Sequence, residues 1–229
     1  MLTFTVQHGL NMSCAETLSK MKEAMQLFSK SPSFKGVTRS APLKKVQHNS
    51  LPFFGYVGRI AALEVTHGFK NGWHPHEHHL WFFNRTLTES DVATIKKELF
   101  DAWRDACLGA GLQAPSPKVG LDIRRALSAA DYLTKFGTER RWGPEKEIAS
   151  SHSKKGSGDV GKGKGRTPMQ ILLDSFSANV NGNTDGFVFN SDAGLFRDYA
   201  KAFKGRHQLQ FSDSLRDWMR LNDVQDVDC

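Results

Sequence analysis

Residues 74–83 are the segment that most constrains the fold of this chain. Four of the nine histidines fall at positions 74, 76, 78 and 79, and an apolar run follows them directly. Side chains alternate between the two faces of a β-strand, so we expect His76 and His78 to share one face and His79 to lie on the other. The sequence therefore predicts a buried strand that carries two imidazoles able to chelate one ion.

A β-rich run at residues 60–67 precedes the histidine segment and contains Glu64 among apolar residues. The turn residues between the two runs predict an antiparallel hairpin. In that hairpin Glu64 can project beside His76 and His78 and complete a set of two nitrogens and one carboxylate. Such a set suits Mg²⁺, Mn²⁺ or another borderline divalent ion, whereas a closed zinc site normally uses cysteine. The alternative interpretation of Glu64 is a charge at the solvent-exposed end of a strand.

A second candidate group lies on a short helix predicted for residues 124–136 and ended by Gly137. Tyr132 and Lys135 are three positions apart and so lie on one helical face. A phenol has a pKa of about 10 and is a poor nucleophile at neutral pH unless a cation stabilises the phenolate. Lys135 can supply that cation or neutralise a phosphate under attack. The alternative interpretation is a packed tyrosine ring beside a solvated lysine. The pair indicates a catalytic role only because it follows the histidine strand.

Taken together, these segments resemble the rolling-circle replication initiators of the HUH endonuclease superfamily, the Rep proteins of small plasmids and related elements. The resemblance covers most of residues 1–216 with order and spacing intact. Its motifs are Leu2–His8, His76–His78 after Gly72–Pro75, and Tyr132–Lys135, with a further similarity at Lys204–Arg206 and Ser214–Arg216.

The resemblance implies a site-specific DNA endonuclease and strand transferase of the single-tyrosine type. Tyr132 would attack a phosphodiester of single-stranded or cruciform origin DNA, leaving a 5′-phosphotyrosyl link and a free 3′-OH primer. A divalent metal, Mg²⁺ or Mn²⁺, would orient the scissile phosphate. A separate helicase and DNA polymerase are the expected partners. Ser128 occupies the position, one turn before Tyr132, where some of these proteins have a glutamate, so the resemblance leaves the mechanism of termination open.

The expected fold is α+β, with a central, mainly antiparallel sheet flanked by helices, as in the RRM-like HUH endonucleases. We expect an endonuclease core at residues 1–149, a mobile basic loop at 150–166 and a helical C-terminal extension at 167–229 that packs on the core. Among the elements, we predict a helix capped by Ser13, a loop or weak strand at residues 30–51, and a helix capped by Thr88.

Basic residues after a strand predicted at residues 118–123 are the candidates for DNA binding. The loop at 150–166 is rich in Gly, Ser and Lys and cannot bury apolar area, so it can either grip phosphates or act only as a tether. The predicted DNA-binding residues are Arg124, Arg125, Lys154, Lys155, Lys162, Lys164 and Arg166. We expect the remaining histidines of the hairpin, His67, His74 and His79, to support the ligands or to face solvent.

Composition agrees with this interpretation without deciding it. The net charge of +7 favours a polyanionic partner or simply describes a basic protein. Three cysteines at unrelated spacings indicate neither a disulfide framework nor a cysteine zinc site, which fits a reducing cytoplasm. The chain also lacks a run of some 18 apolar residues, so no membrane span is expected.

Three other functions remain open at this point. A relaxase or transposase of the same superfamily would act on single-stranded DNA with the same chemistry. A metal-dependent hydrolase of another class would also use His-x-His, although the Asp-His pair of metallo-β-lactamase-like enzymes is missing after it. A DNA-binding module without catalysis would use the histidines structurally.

Overall fold

The computed structural model describes residues 1–7, 11–39, 51–69, 71–124, 165–180 and 186–221. Its strands are β1 (Leu2–Thr5), β2 (Tyr56–Gly68), β3 (Gly72–Phe83), β4 (Leu121–Ile123) and β5 (Leu209–Phe211). Its helices are α1 (Cys14–Lys30), α2 (Pro32–Val37), α3 (Glu89–Gly109), α4 (Pro168–Val180), α5 (Gly186–Phe203) and α6 (Asp213–Leu221). Among these helices, none is long and apolar enough to cross a membrane.

The strands form one antiparallel sheet in the order β4-β1-β3-β2-β5. This arrangement confirms the predicted α+β fold class. The long hairpin of β2 and β3 is also confirmed, and Glu64 lies directly opposite His76 in its register. Gly72 begins β3 with a φ of 72°, a left-handed conformation that glycine adopts without steric cost.

Two of the predicted helix starts are confirmed by their caps. The Ser13 hydroxyl accepts a hydrogen bond from the Glu16 backbone N–H at the start of α1. Thr88 and Asp91 form a reciprocal capping box at the start of α3. The hydroxyl and carboxylate thus satisfy backbone N–H groups that the first helical turn leaves without partners.

The prediction of a loop or weak strand at residues 30–51 is wrong for its first part, which forms the helix α2. Ser31 caps this helix by accepting from the Phe34 backbone N–H, and Pro32 occupies its first turn. A serine followed by proline is a recognised start signal for a helix. Burial of Phe34 and Val37 then holds the short helix against the core.

One face of the sheet carries the main hydrophobic core. Phe4 of β1 packs against Phe28 of α1 and Trp103 of α3, with ring centroids 5.1 and 5.2 Å away. All three side chains are almost completely buried. Because side chains alternate along a strand, the neighbours of Phe4, which are Thr3 and Thr5, lie on the opposite face of the sheet.

The helices α4 and α5 extend this core at the far end of the hairpin. Ile171 of α4 and Ala202 of α5 join Leu18 of α1, Val65 of β2 and Trp73 of β3 in a second buried cluster. Val65 and Trp73 lie on the same face of the sheet as the main core, since they alternate with Glu64 and His74. The described C-terminal helices therefore leave Glu64, His76 and His78 on the other face.

Candidate functional site

The predicted metal-binding residues come together on two adjacent strands, β2 and β3. In β3, His76 and His78 lie on the face away from the main core, and Glu64 of β2 lies on that same face opposite His76. On the other side of β3, the strand β1 places Thr5 opposite His76 and Thr3 opposite His78. The predicted position of Glu64 beside the two histidines is therefore confirmed.

The closest pair in this group is Glu64 and His78. The Glu64 Oε2 atom lies 3.1 Å from His78 Nε2, and the two side chains are 48% and 33% exposed. The His76 and His78 rings are nearly parallel, with centroids 6.0 Å apart. The Glu64 and His78 side chains are both partly exposed, so an ion or a phosphate can reach them.

Both histidines are held from behind by threonine hydroxyls. Thr3 Oγ1 lies 3.0 Å from His78 Nδ1, and Thr5 Oγ1 lies 3.1 Å from His76 Nδ1. Each of these hydrogen bonds engages the Nδ1 atom, while Nε2 of His78 contacts the Glu64 carboxylate. Sequence reasoning missed these two residues, although the period-two spacing of the threonines already places both on one face of β1.

The donor types fit a divalent ion. Two imidazoles and a carboxylate suit Mn²⁺ or a similar ion, and adjacent ligands on an octahedral ion with bonds of about 2.1 Å are about 3.0 Å apart. The Glu64–His78 separation of 3.1 Å matches that spacing. Within the described part of the chain, however, no three His, Cys, Asp or Glu side chains are arranged to hold one ion. Binding by Glu64, His76 and His78 together therefore requires side-chain movement.

An open pocket of about 550 Å³ lies over this group among the described residues. Lys118 and Arg124 contribute positive charge to the pocket lining, and neither Lys118 nor its turn was predicted to be functional. Arg124 is 75% exposed and donates from Nε to the Asp122 carboxylate at 2.7 Å. The lining consists of Met1, Thr3, Thr5, Glu64, Thr66, His76, His78, Lys118, Val119, Asp122 and Arg124.

Arg166, a predicted DNA-binding residue, has a different environment. Its guanidinium makes two hydrogen bonds of 2.8 Å with the Asp192 carboxylate and one of 3.2 Å with Asp174, and its side chain is only 14% exposed. Its backbone exchanges two hydrogen bonds of 2.8 Å with His67 at the end of β2. These carboxylates compensate the charge, so Arg166 fastens the start of α4 to the hairpin, and this arrangement does not support a phosphate contact.

The expectation that His79 supports the ligands or faces solvent is wrong. Its side chain is buried beside the Phe4 ring, at a centroid distance of 4.8 Å, and accepts a hydrogen bond from Trp81 Nε1 at Nδ1. Burial lowers the pKa of His79, although the nearby Glu77 opposes the shift. His79 is therefore a core residue. Of the other two histidines, His74 lies beside His76, with centroids 4.2 Å apart.

Burial together with the Arg166 charge lowers the pKa of His67, the last of the three histidines, whose ring packs edge-on against Trp73.

Two cysteine thiols are also buried, Cys14 and Cys107, and burial raises the pKa of each to about 12. Neither thiol is therefore a candidate nucleophile at neutral pH.

Several predicted site residues lie outside the described part of the chain. These are Tyr132, Lys135, Arg125, Lys154, Lys155, Lys162 and Lys164. The described chain reaches the pocket at Arg124, the first residue of the helix predicted for residues 124–136 that contains Tyr132.

The chain is similar to Protein rep from Streptomyces lividans. The two sequences are 25% identical over an alignment of 270 residues, which covers 97% of this chain and 56% of the relative. The chain thus spans about half the length of this curated relative. No protein-family model matches the chain, and no solved structure matches it.

Proposed function

We propose that this chain is a rolling-circle replication initiator that nicks origin DNA by metal-dependent transesterification. Its similarity to Protein rep extends over nearly the whole chain and supports a role as a replication initiator. The single observation that carries the chemistry is the placement of Glu64, His76 and His78 on adjacent strands beside an open pocket with cations in its lining.

A bound Mg²⁺ or Mn²⁺, held by His76, His78 and Glu64, would supply the positive charge that orients and polarises the scissile phosphate. Tyr132 is the proposed nucleophile. Its phenol releases its proton to solvent as the oxygen forms a new bond to phosphorus, the bond from phosphorus to the 3′ oxygen breaks, and that oxygen takes up a proton from solvent to become the 3′-OH primer. Lys135 stabilises the phenolate or the phosphate during this step.

Affinity for the DNA would come from contacts between basic side chains and phosphates. In the pocket lining these are Lys118 and Arg124, which line the same pocket as the proposed metal ligands. Contacts of this kind position the strand without reading its sequence. The basic residues outside the described part of the chain that we propose for the same role are Arg125, Lys154, Lys155, Lys162 and Lys164. The substrate is single-stranded or cruciform origin DNA, and unwinding and synthesis require a separate helicase and polymerase.

Covalent capture tests this function directly. Purified protein is mixed with Mn²⁺ or Mg²⁺ and labelled single strands from the DNA that flanks the gene. We expect an adduct that survives SDS, carries the 3′ portion of the strand and disappears with EDTA. Tyr132→Phe removes one oxygen, so this variant should bind the strand normally and form no adduct.

The chain contains two other tyrosines, which provide matched controls. Tyr56 packs in the main core and Tyr199 belongs to α5, so neither borders the pocket. Tyr56→Phe and Tyr199→Phe should still form the adduct. A DNA-linked peptide that contains either of these tyrosines, or an adduct formed by Tyr132→Phe, would contradict the assignment. Metal-independent binding with no adduct from any variant would instead indicate a binding module.

A further inference from the structure

The two threonines of β1 repeat one arrangement at two successive positions of β3. Thr3 faces His78 and Thr5 faces His76 in the antiparallel register, and in each pair the hydroxyl lies within 3.1 Å of Nδ1. Directly opposite residues on neighbouring strands have Cβ atoms about 5 Å apart, so their side chains meet without backbone adjustment. The strand pairing itself therefore sets both contacts.

In a neutral His78 ring, the partner of Nε2 fixes the direction of the hydrogen bond between Thr3 and Nδ1. Nε2 faces the Glu64 carboxylate at 3.1 Å, and a carboxylate only accepts. In the neutral ring Nε2 must then carry the hydrogen, which leaves Nδ1 as an acceptor from the Thr3 hydroxyl. In this state Thr3 is the donor.

An ion bound at Nε2 requires the opposite arrangement. A neutral imidazole binds metal through the nitrogen that has no hydrogen, so the hydrogen must then be on Nδ1. Nδ1 becomes the donor, and its partner must accept. A hydroxyl can do both, because it has one hydrogen and two lone pairs, whereas a carboxylate or carbonyl can only accept.

We propose that Thr3 and Thr5 are positioning residues that hold His78 and His76 in place for a bound ion, and that the Thr3 hydroxyl reverses its hydrogen-bond direction when the ion binds. This inference rests on the metal site of the proposed function. The reversal moves one hydrogen from Nε2 to Nδ1 of the same ring through solvent, so the ring stays neutral and only the tautomer changes.

Valine is a sharp probe of this role, because it has the shape of threonine without the hydroxyl and also favours β-strands. Mn²⁺ affinity is measured by isothermal titration calorimetry for the wild type, Thr3→Val and Thr3→Ser, with no DNA present. We expect Thr3→Val to weaken binding by about 10- to 100-fold, the usual effect of losing a group that orients a ligand. Thr3→Ser keeps the hydroxyl and should bind nearly as well as the wild type. Thr5→Val should weaken Mn²⁺ binding in the same way, and Thr5→Ser should bind nearly as well as the wild type.

Thr94→Val is the control for a simple loss of a threonine hydroxyl. Thr94 belongs to α3, which packs on the opposite face of the sheet. This variant should bind Mn²⁺ as the wild type does. Circular dichroism and thermal unfolding of each variant establish that the fold is kept.

Nitrogen-15 chemical shifts of the histidine rings report the tautomer directly. We expect the hydrogen of His78 to lie on Nε2 in the metal-free wild type and on Nδ1 after Mg²⁺ is added. Equal Mn²⁺ affinities for the wild type and the valine variants would overturn the inference alone and leave the proposed function standing. A wild-type protein that binds neither ion would overturn both, and unchanged nitrogen-15 shifts on Mg²⁺ binding would exclude the tautomer change.

Discussion

His78 and His79 are consecutive residues, and each lies beside a glutamate, but they occupy opposite faces of the same strand. The His78 side chain is 33% exposed and lies 3.1 Å from the Glu64 carboxylate. The His79 side chain is 3% exposed and lies 3.4 Å from Glu77. The two pairs thus share their chemistry and differ in their surroundings.

The surroundings decide what each imidazole can do. Around His79, the Phe4 ring and the hydrogen bond from Trp81 occupy the space that a metal and its water would need. Burial also lowers the pKa of His79, which keeps the ring neutral near pH 7. Around His78 there is an open pocket and a hydroxyl partner instead. A histidine and a glutamate in contact therefore indicate a metal site only where solvent can reach them.

The largest predicted difference between the two histidines is in catalysis. His78→Ala removes a proposed metal ligand, so we expect the rate of adduct formation to fall by about 10³, as for the loss of a group that stabilises charge at the reacting centre. His76→Ala should have a similar effect. DNA affinity should persist in both, because it depends on contacts with phosphates. The measurement is single-turnover adduct formation at saturating DNA.

His79→Ala is the matched variant for this experiment. Once the rate is corrected for the folded fraction, this variant should form the adduct at close to the wild-type rate. Equal losses of activity in His78→Ala and His79→Ala would contradict the assignment of His78 to metal binding and of His79 to the core. Full activity in the double variant of His76 and His78 would also contradict it.

The second predicted difference is in stability and has the opposite sign. His79→Ala leaves a cavity beside Phe4 and Trp81, and we expect it to lower the free energy of unfolding by about 3 kcal/mol, as large-to-small core substitutions do. His78→Ala removes a partly exposed side chain, so we expect a loss of no more than about 1 kcal/mol. Urea unfolding in the presence of a chelator measures both. A His78 variant that is the less stable of the two would contradict the division between a packing face and a binding face.

Sequence patterns predicted the elements of this region better than its contacts. Alternation along β3 separated His78 from His79 correctly, and the turn signals predicted the hairpin that brings Glu64 beside the histidines. The contact of Thr3 with His78 could not be derived, because it spans 75 residues and periodicity gives the face of a strand but not its partner or register. Trp81 lies on the face of His79 and was an available signal for its burial.

The ion pairs of Arg166 also could not be derived from the local sequence. Composition grouped it with the lysines of a solvated basic loop, since the neighbouring sequence is rich in Gly, Ser and Lys. Its bidentate partner, Asp192, is 26 residues away on α5. The packing of α4 and α5 brings the two together, and no local pattern in the sequence encodes that packing.

The two glutamates provide the smallest and most selective test of the comparison. Replacement of glutamate by glutamine keeps the size of the side chain and removes its charge. At Glu64 the charge is a proposed metal ligand, so Glu64→Gln should weaken Mn²⁺ binding at least about tenfold, which corresponds to about 1.4 kcal/mol, and should change the preference among divalent ions. The Glu77 side chain is 19% exposed and contacts the buried His79 ring. Glu77→Gln should therefore leave the Mn²⁺ affinity unchanged and lower the free energy of unfolding by about 1 kcal/mol. Calorimetric titration with Mn²⁺ and urea unfolding of the same two samples separate these effects. If Glu64→Gln changes neither the Mn²⁺ affinity nor the ion preference, another group supplies the third ligand, and the contact of Glu64 with His78 is then an ordinary surface hydrogen bond.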